Sequence, residues 1–137
     1  MIALLTLDLA EASRIIQAGM ARAAAIGSPS TLAVVDASGT MIAQIRMDGA
    51  RLASAELAAS RAVSALTWAQ PGGDTYGFTG RRGGRAVILP GGMPIEADGQ
   101  VIGAIGVSGG TGAQDEEIAR VAASALAAAP AELVYAR

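Results

Sequence analysis

The sequence contains no cysteine, no histidine and no lysine. Without cysteine, the chain has no disulfide and no thiolate nucleophile. Without histidine, it has no imidazole for acid–base chemistry at neutral pH. Together these two absences exclude the usual structural zinc sites and ligation of a haem iron by either residue. The absence of lysine excludes Schiff-base catalysis. Carboxylates, arginines, hydroxyls and backbone amides therefore remain as the groups that can hold or transform a ligand.

Aromatic side chains, net charge and long apolar runs are also scarce. Four of the 137 residues are aromatic, although 52% are hydrophobic, so the core must be built from Ala, Val, Ile and Leu. A net charge of -2 argues against a nucleic-acid-binding face. No stretch approaches the roughly 18 apolar residues of a membrane-spanning helix, and no signal peptide is apparent. We expect a single domain over residues 1–137, located in the cytoplasm, with no membrane or nucleic-acid partner.

Hydrophobic periodicity and turn residues predict an α+β fold. Helices are predicted over residues 7–26, 52–68 and 112–129, and strands over residues 31–36, 40–46, 85–89 and the two arms of a hairpin at Asp98-Gly99. The turn Ala37-Ser38-Gly39 joins the first two strands into another hairpin. These elements predict a mainly antiparallel five-stranded sheet with three major helices packed on it.

Capping residues set the expected ends of the helices. We expect Thr6 to cap the first helix, and Thr111 and Gln114 have the spacing of a capping box at the third. In the second helix Leu57, Ala58, Arg61, Ala62 and Ala65 recur at helical spacing. Residues 69–84 follow no regular pattern and are a candidate lid or interface arm.

Two glycine-rich bends are the candidate walls of a ligand pocket. Six glycines occur within residues 99–117, where backbone must approach another strand, a partner subunit or a ligand closely. Free N–H groups at the two bends would bind a carboxylate or a developing oxyanion. The candidate ligand-binding residues are Gly91, Gly92, Pro94, Ser108, Gly109, Gly110 and Thr111. The alternative is that these glycines serve tight turns and close packing alone.

Three charged residues are candidates for catalysis beside these bends. Arg46 and Asp48 flank the end of the second strand, where they could hold an anion and move a proton, or form a strand-end ion pair or an Asp-Gly turn. Glu117 could act as a general base if burial raises its pKa, or it could be solvated charge at a helix start, as could its neighbour Glu116. No metal site and no cofactor are predicted.

Several segments resemble the GlcG/HbpS/PduO-C family along nearly the whole chain. They are Leu5-Thr6-Leu7, residues 33–39, residues 46–50, residues 90–95, Asp98-Gly99, residues 101–110 and Gln114-Asp115. The resemblance implies a profilin-like α/β sandwich that assembles as dimers or larger oligomers. It also implies an association with haem binding, corrinoid metabolism or glycolate utilisation. Because this chain has no histidine, a histidine-ligated haem is not carried over.

Two principal functions remain open at this point. The first is a small-molecule-binding homo-oligomer that holds an organic, anionic ligand. The second is a cofactor-independent lyase or isomerase that uses carboxylate and arginine for proton transfer and backbone amides to stabilise an anion. A mainly structural oligomer is a third possibility. The alanine-rich helix faces predict at least a dimer.

Overall fold

A computed structural model describes residues 1–69 and 90–126 of the chain. Within these ranges, the helices are α1 (Leu9–Ala25), α2 (Ser54–Trp68) and α3 (Gly112–Ala123). The strands are β1 (Thr31–Asp36), β2 (Met41–Arg46), β3 (Gly92–Ala97) and β4 (Gln100–Ser108). All neighbouring strands are antiparallel, in the order β2-β1-β4-β3. The predicted α+β architecture, with three helices on an antiparallel sheet, is confirmed.

Helices cover both faces of the sheet. Because successive strand side chains point to opposite faces, Leu32 and Val34 of β1 join the core beneath α1 and α3. Val35 points the other way and packs against Ala62 and Ala65 of α2. Leu57 of α2 is 44% exposed, whereas Ala58, Ala62 and Ala65 are fully buried. No helix in the two described ranges is long and apolar enough to cross a bilayer.

Both predicted hairpins are present. The turn at Asp98-Gly99 joins β3 to β4, and its two residues have φ values of 53° and 76°. Left-handed φ values at both central positions are those of the two-residue turn that matches the twist of paired strands. The local Asp-Gly signal was therefore sufficient to predict this connection.

The first helix begins two residues later than predicted. Asp8, not Thr6, is its N-cap: the Asp8 carboxylate accepts from the Glu11 N–H at 2.8 Å, and the Glu11 carboxylate accepts from the Asp8 N–H at 2.9 Å. This reciprocal pair satisfies two backbone donors at once, which Thr6 alone cannot do. Thr6 instead accepts the Ala37 N–H at 2.9 Å. The capping box of Thr111 and Gln114 at α3 is confirmed.

The glycine bend before β3 is shorter than predicted. Gly92 and Pro94 already belong to β3, and Pro94 pairs with Ala104 of β4. Proline is tolerated there because β3 has a partner on one side only within the described sheet, so an absent N–H need not break a ladder bond. The predicted strand at 85–89, most of the loop at 69–84 and the end of the third predicted helix lie outside the described residues.

Asp36 gives the β1–β2 hairpin a dependence on pH. Its carboxylate accepts hydrogen bonds from the Ser38 hydroxyl at 2.7 Å and from the N–H groups of Ser38 and Thr40 at 2.9 and 3.1 Å. The hydrogen bond from the Ser38 hydroxyl is the main reason that the pKa of Asp36 lies below the usual 3.8. Burial opposes this shift, and the backbone N–H groups add to it. Because the pKa of Asp36 is lower in the folded state than in the unfolded state, its carboxylate stabilises the folded protein fully at pH values above the unfolded-state pKa. This stabilisation is lost as the pH falls through the folded-state pKa.

We therefore expect the Asp36→Asn substitution to lower the free energy of unfolding near neutral pH and to matter progressively less in acid. The measurement is urea unfolding of both proteins at about pH 6 and about pH 3. The difference in free energy of unfolding between the two proteins should be smaller at the lower pH. A difference that is the same at both values would contradict a role for the ionised carboxylate.

Candidate functional site

A cleft of about 160 Å³ opens at one end of the sheet, where β4 ends. The start of α2 forms one wall, and the turn from β4 into α3 forms the other. The described residues that line it are Arg51, Ala53, Ser54, Leu57, Arg61, Ser108, Gly109, Gly110 and Asp115. Three of the predicted ligand-binding residues, Ser108, Gly109 and Gly110, therefore lie together in a concave surface.

Glycine is required in the β4–α3 turn because the chain behind it is too close for a side chain. A Cβ on Gly109 would lie 2.5 Å from the Pro29 carbonyl oxygen and 2.8 Å from Cα of Ser30, and Gly109 has φ +150°. A Cβ on Gly110 would collide with the Ser28 hydroxyl. The turn is therefore held tightly against residues 28–30, and its other side faces the cleft.

An ion pair between Arg61 and Asp115 forms the floor of the cleft. Nη1 of Arg61 donates to Oδ2 of Asp115 at 2.8 Å and to the Val107 carbonyl oxygen at 2.6 Å. Oδ1 of Asp115 accepts the Gly110 N–H at 3.0 Å. The Asp115 side chain is 2% exposed and that of Arg61 is 16% exposed. This pair connects α2, the end of β4 and the start of α3, and so fixes the shape of the cleft.

Three donor groups at the cleft are not used by these contacts. Nε of Arg61 is buried and has no hydrogen-bond partner in the part of the chain that the structure describes. Ser108 is 4% exposed, and its hydroxyl has no partner among the described residues. Arg51 is exposed at the cleft mouth. Two guanidinium groups and a hydroxyl are the donors that a ligand carboxylate or phosphate prefers. The cleft can therefore hold an anion.

The bend at Gly91 and Gly92 lies beneath the cleft rather than along its described lining. The Gly91 N–H donates to Oε1 of Glu116 at 3.2 Å, and the Gly91 carbonyl accepts the Val107 N–H at 2.7 Å. A Cβ on Gly92 would lie 2.8 Å from the Arg61 carbonyl oxygen. Gly92 therefore lets α2 approach the sheet, and Gly91 lets the bend approach β4, as expected if these glycines serve close packing.

Several backbone amides that were expected to be free are engaged within the protein. The Gly91 N–H is bonded to Glu116, the Gly110 N–H to Asp115 and the Thr111 N–H to Gln114. Side chains from the start of α3 satisfy all three donors. Anion binding in this region must therefore rely on side chains more than the sequence suggested.

Arg46 and Asp48 lie at the same end of the sheet as the cleft but outside its described lining. The register places Arg46 opposite Thr31, and Thr31 opposite Ser108. At about 4.8 Å per strand, the backbones of Arg46 and Ser108 are about 10 Å apart. Arg46 and Asp48 are both exposed. Arg51, five residues along the same loop, lines the cleft instead.

The segment at Pro29 separates Asp48 from the glycine turn. A Cβ on Gly49, the neighbour of Asp48, would lie 3.4 Å from Cγ of Pro29. A Cβ on Gly109 would lie 2.5 Å from the Pro29 carbonyl oxygen. Because Pro29 lies between these two glycines, the loop at residues 47–50 contacts the outer side of the segment that supports the cleft.

Glu117 faces α1 rather than the cleft. Its carboxylate forms an ion pair with Arg22, and the two side chains are 31% and 42% exposed. The carboxylate therefore joins the two helices that cover the other face of the sheet. The structure does not bring Glu117 together with Arg46, Asp48 or Ser108.

Sequence reasoning did not place Arg51, Ser54, Arg61 or Asp115 in the candidate site. A signal was available for Arg61, because it lies at helical spacing among Ala58, Ala62 and Ala65, which are all fully buried. A single charge on a buried alanine face indicates a paired side chain. Within the described residues, no group of three or more Cys, His, Asp or Glu side chains could hold a metal ion.

Comparison with known proteins gives one family and several close relatives. The model of a family described as haem degrading protein HbpS-like matches residues 7–124. An uncharacterised 15.0 kDa protein from the dhaT–dhaS intergenic region of Citrobacter freundii is 39% identical over 127 residues, covering 85% of this chain and 89% of that protein.

Two further relatives carry names that refer to tetrapyrroles. The corrinoid adenosyltransferase PduO of Citrobacter freundii is 32% identical over 132 residues, which are 89% of this chain and 39% of that protein. This chain thus spans well under half of that enzyme. A crystal structure described as a PduOC:heme complex is 33% identical, with a TM-score of 0.71, and the match covers 88% of this chain and 95% of that one.

Proposed function

The chain belongs to the HbpS-like family, and from this premise we propose that it binds a small organic anion of the tetrapyrrole class, as a homo-oligomer. The observation that carries the proposal is the cleft at the end of β4, where Arg51, Arg61 and Ser108 offer donors to an anionic group. The names of two relatives, a heme complex and a corrinoid enzyme, support a tetrapyrrole as the kind of ligand. Exposed apolar side chains on and before α2, including Leu52 at 80% and Val63 at 43%, support the oligomer.

The side chains of this protein do not fit a haem held through its iron by histidine or cysteine. The chain has neither histidine nor cysteine. Of its five methionines, Met20, Met47 and Met93 pack against the main core. Binding in this proposal therefore rests on polar and apolar contacts with the organic part of the ligand, and no chemistry is assigned to a bound iron.

The lyase or isomerase alternative receives no support from the site or from the relatives. Arg46, Asp48 and Glu117, which would carry proton transfer, do not converge on the cleft. The relatives' names refer to haem and corrinoid chemistry. Ligand binding is therefore favoured over the lyase or isomerase alternative.

The experiment is a titration of the purified protein with haem and with metal-free protoporphyrin IX, followed by absorbance. We expect saturable binding of both, with no spectrum of a haem ligated by two nitrogens, because no histidine is present. Ser108→Leu, which fills the cleft, should weaken binding by about tenfold or more. Ser60→Leu on the exposed side of α2 is the matched control and should bind as the unmodified protein does.

Thermal unfolding of both variants distinguishes a blocked cleft from a damaged fold. If neither haem nor protoporphyrin binds the unmodified protein, the proposed function is wrong. If Ser108→Leu is folded and binds normally, the ligand lies elsewhere.

A further inference from the structure

We infer that the cleft between α2 and the β4–α3 turn recognises a single carboxylate of the ligand, with Arg51 as the residue that determines this specificity. The inference rests on the proposed function and adds the chemical group through which the ligand is held. The carboxylate contact also takes the place of iron coordination by histidine or cysteine, which the chain lacks, as the principal polar interaction. Four properties of the cleft carry it: charge, size, unused donors and the support behind Arg51.

The charge of the cleft fits an anion with one negative charge. Its described lining contains two arginines, Arg51 and Arg61, and one carboxylate, Asp115. Asp115 is paired with Arg61, so one positive charge, that of Arg51, is left without a counterion in the described lining. A carboxylate supplies one negative charge. A phosphate dianion would place a second negative charge beside the buried Asp115, which is unfavourable at such short range.

The size of the cleft fits a head group and not a whole ligand. Pockets that enclose a drug-sized molecule measure roughly 300–1,000 Å³, whereas this cleft measures about 160 Å³. A macrocycle cannot enter, but a carboxylate on a short alkyl arm can. The body of the ligand would then lie outside the cleft, against the exposed side of Leu57 and the surface around it.

The donors that remain unused point to an oxygen ligand. Nη1 of Arg61 is occupied by Asp115 and by the Val107 carbonyl, so the rest of its guanidinium is fixed in place with Nε buried and unpartnered. Ser108 lines the cleft, and no hydrogen bond joins its hydroxyl to a described residue. A buried donor such as Nε of Arg61 destabilises a protein unless an acceptor reaches it. An incoming carboxylate oxygen at Ser108 would satisfy the hydroxyl.

Arg51 is held at the cleft mouth by a chain of hydrogen bonds. The Ser54 N–H and hydroxyl both donate to the Arg51 carbonyl oxygen, at 3.0 and 2.5 Å. The Ser54 hydroxyl also lies 2.7 Å from the hydroxyl of Thr31 in β1. Ser54 and Thr31 are both buried, so they anchor this loop to the sheet. The Arg51 side chain therefore starts from a fixed backbone, which reduces the entropy lost when it closes on an anion.

The test compares metal-free protoporphyrin IX, which carries two carboxylates, with its dimethyl ester, which carries none. Each is titrated by fluorescence, in a constant low concentration of non-ionic detergent, into the unmodified protein, Arg51→Gln and Arg120→Gln. Arg120 is exposed on α3 and does not line the cleft, so its variant controls for the loss of one positive charge. Removing iron from the probes excludes coordination from the comparison.

We expect the unmodified protein and Arg120→Gln to bind the diacid about tenfold or more tightly than the diester. Arg51→Gln should bind the diacid no more tightly than the diester, with its affinity for the diester unchanged. Equal affinity of the unmodified protein for diacid and diester would overturn the inference and leave the proposed function intact. An equal loss of affinity for the diacid in Arg51→Gln and Arg120→Gln would also overturn the inference, because it would indicate general electrostatic attraction. Failure of both probes to bind would instead overturn the proposed function.

Discussion

Gly106→Ala is expected to lower the free energy of unfolding by about 3 kcal/mol or more, enough to abolish a cooperative transition in a marginal domain. A Cβ at this position would overlap the Ala58 carbonyl oxygen and would lie 2.5 Å from the Ala62 nitrogen. Both are backbone atoms of α2, so no side-chain rotation can relieve the clash. Instead α2 would have to move away from the sheet and open the contacts of Ala58 and Ala62, which are fully buried.

The matched control is the same substitution at Gly112, the first residue of α3. There the nearest atoms to a new Cβ are Cγ and Cβ of Pro90, at 3.5 and 3.6 Å, which is ordinary contact. Gly112→Ala should therefore change the free energy of unfolding by no more than about 0.5 kcal/mol. Denaturant unfolding followed by circular dichroism measures both variants. Gly106→Ala would contradict the expected packing if its stability matched that of Gly112→Ala.

Local signals in the sequence were enough to predict most of the described elements. The strand predicted at residues 31–36 is β1 to the residue, and α3 begins at the predicted Gly112. Continuous apolar runs, turn glycines and capping residues act over a few positions, so they can be interpreted without knowledge of the fold. The start of α1 was missed because two capping signals compete there, and the reciprocal pair of Asp8 and Glu11 prevails.

The glycines show where sequence interpretation stops. Gly92 and Gly106 serve the close approach of α2 to the sheet, whereas Gly109 and Gly110 pack against residues 28–30 and line the cleft. Both roles require the same residue, so composition alone cannot separate them. Only the position of α2 on the sheet, a product of tertiary packing, assigns each glycine to one role.

The floor of the cleft depends on contacts between distant parts of the chain. Arg61 and Asp115 are 54 positions apart, and the local sequence around each does not reveal the other as its partner. Asp115 lies in the first turn of α3, where an acidic residue also complements the helix dipole. Arg61 lies on the buried alanine face of α2, which indicates a paired side chain but does not identify its partner. No spacing pattern in the sequence therefore predicts that Arg61 and Asp115 lie close together.

Asp115→Asn is expected to destabilise the protein by about 3 kcal/mol, because it leaves Arg61 in the floor of the cleft without a counterion. The substitution keeps the shape of the side chain, so the loss reports on charge more than on packing. The expected loss lies at the lower end of the range for a broken buried pair because Arg61 retains 16% exposure. The measurement is denaturant unfolding, with the midpoint and slope compared between variants.

Glu117→Gln, two positions along the same helix, is the matched control for Asp115→Asn. It breaks the ion pair between Glu117 and Arg22, whose side chains are 31% and 42% exposed. Because solvent screens this pair, the free energy of unfolding should fall by only about 0 to 1 kcal/mol. Adding Arg61→Met to Asp115→Asn should recover part of the lost stability, because it removes the uncompensated charge. Equal costs for Asp115→Asn and Glu117→Gln, with no recovery in the double variant, would show that the Arg61–Asp115 pair is as solvated as a surface pair. A cleft that open to water would hold an anion weakly, so this comparison also tests the electrostatic basis of ligand binding.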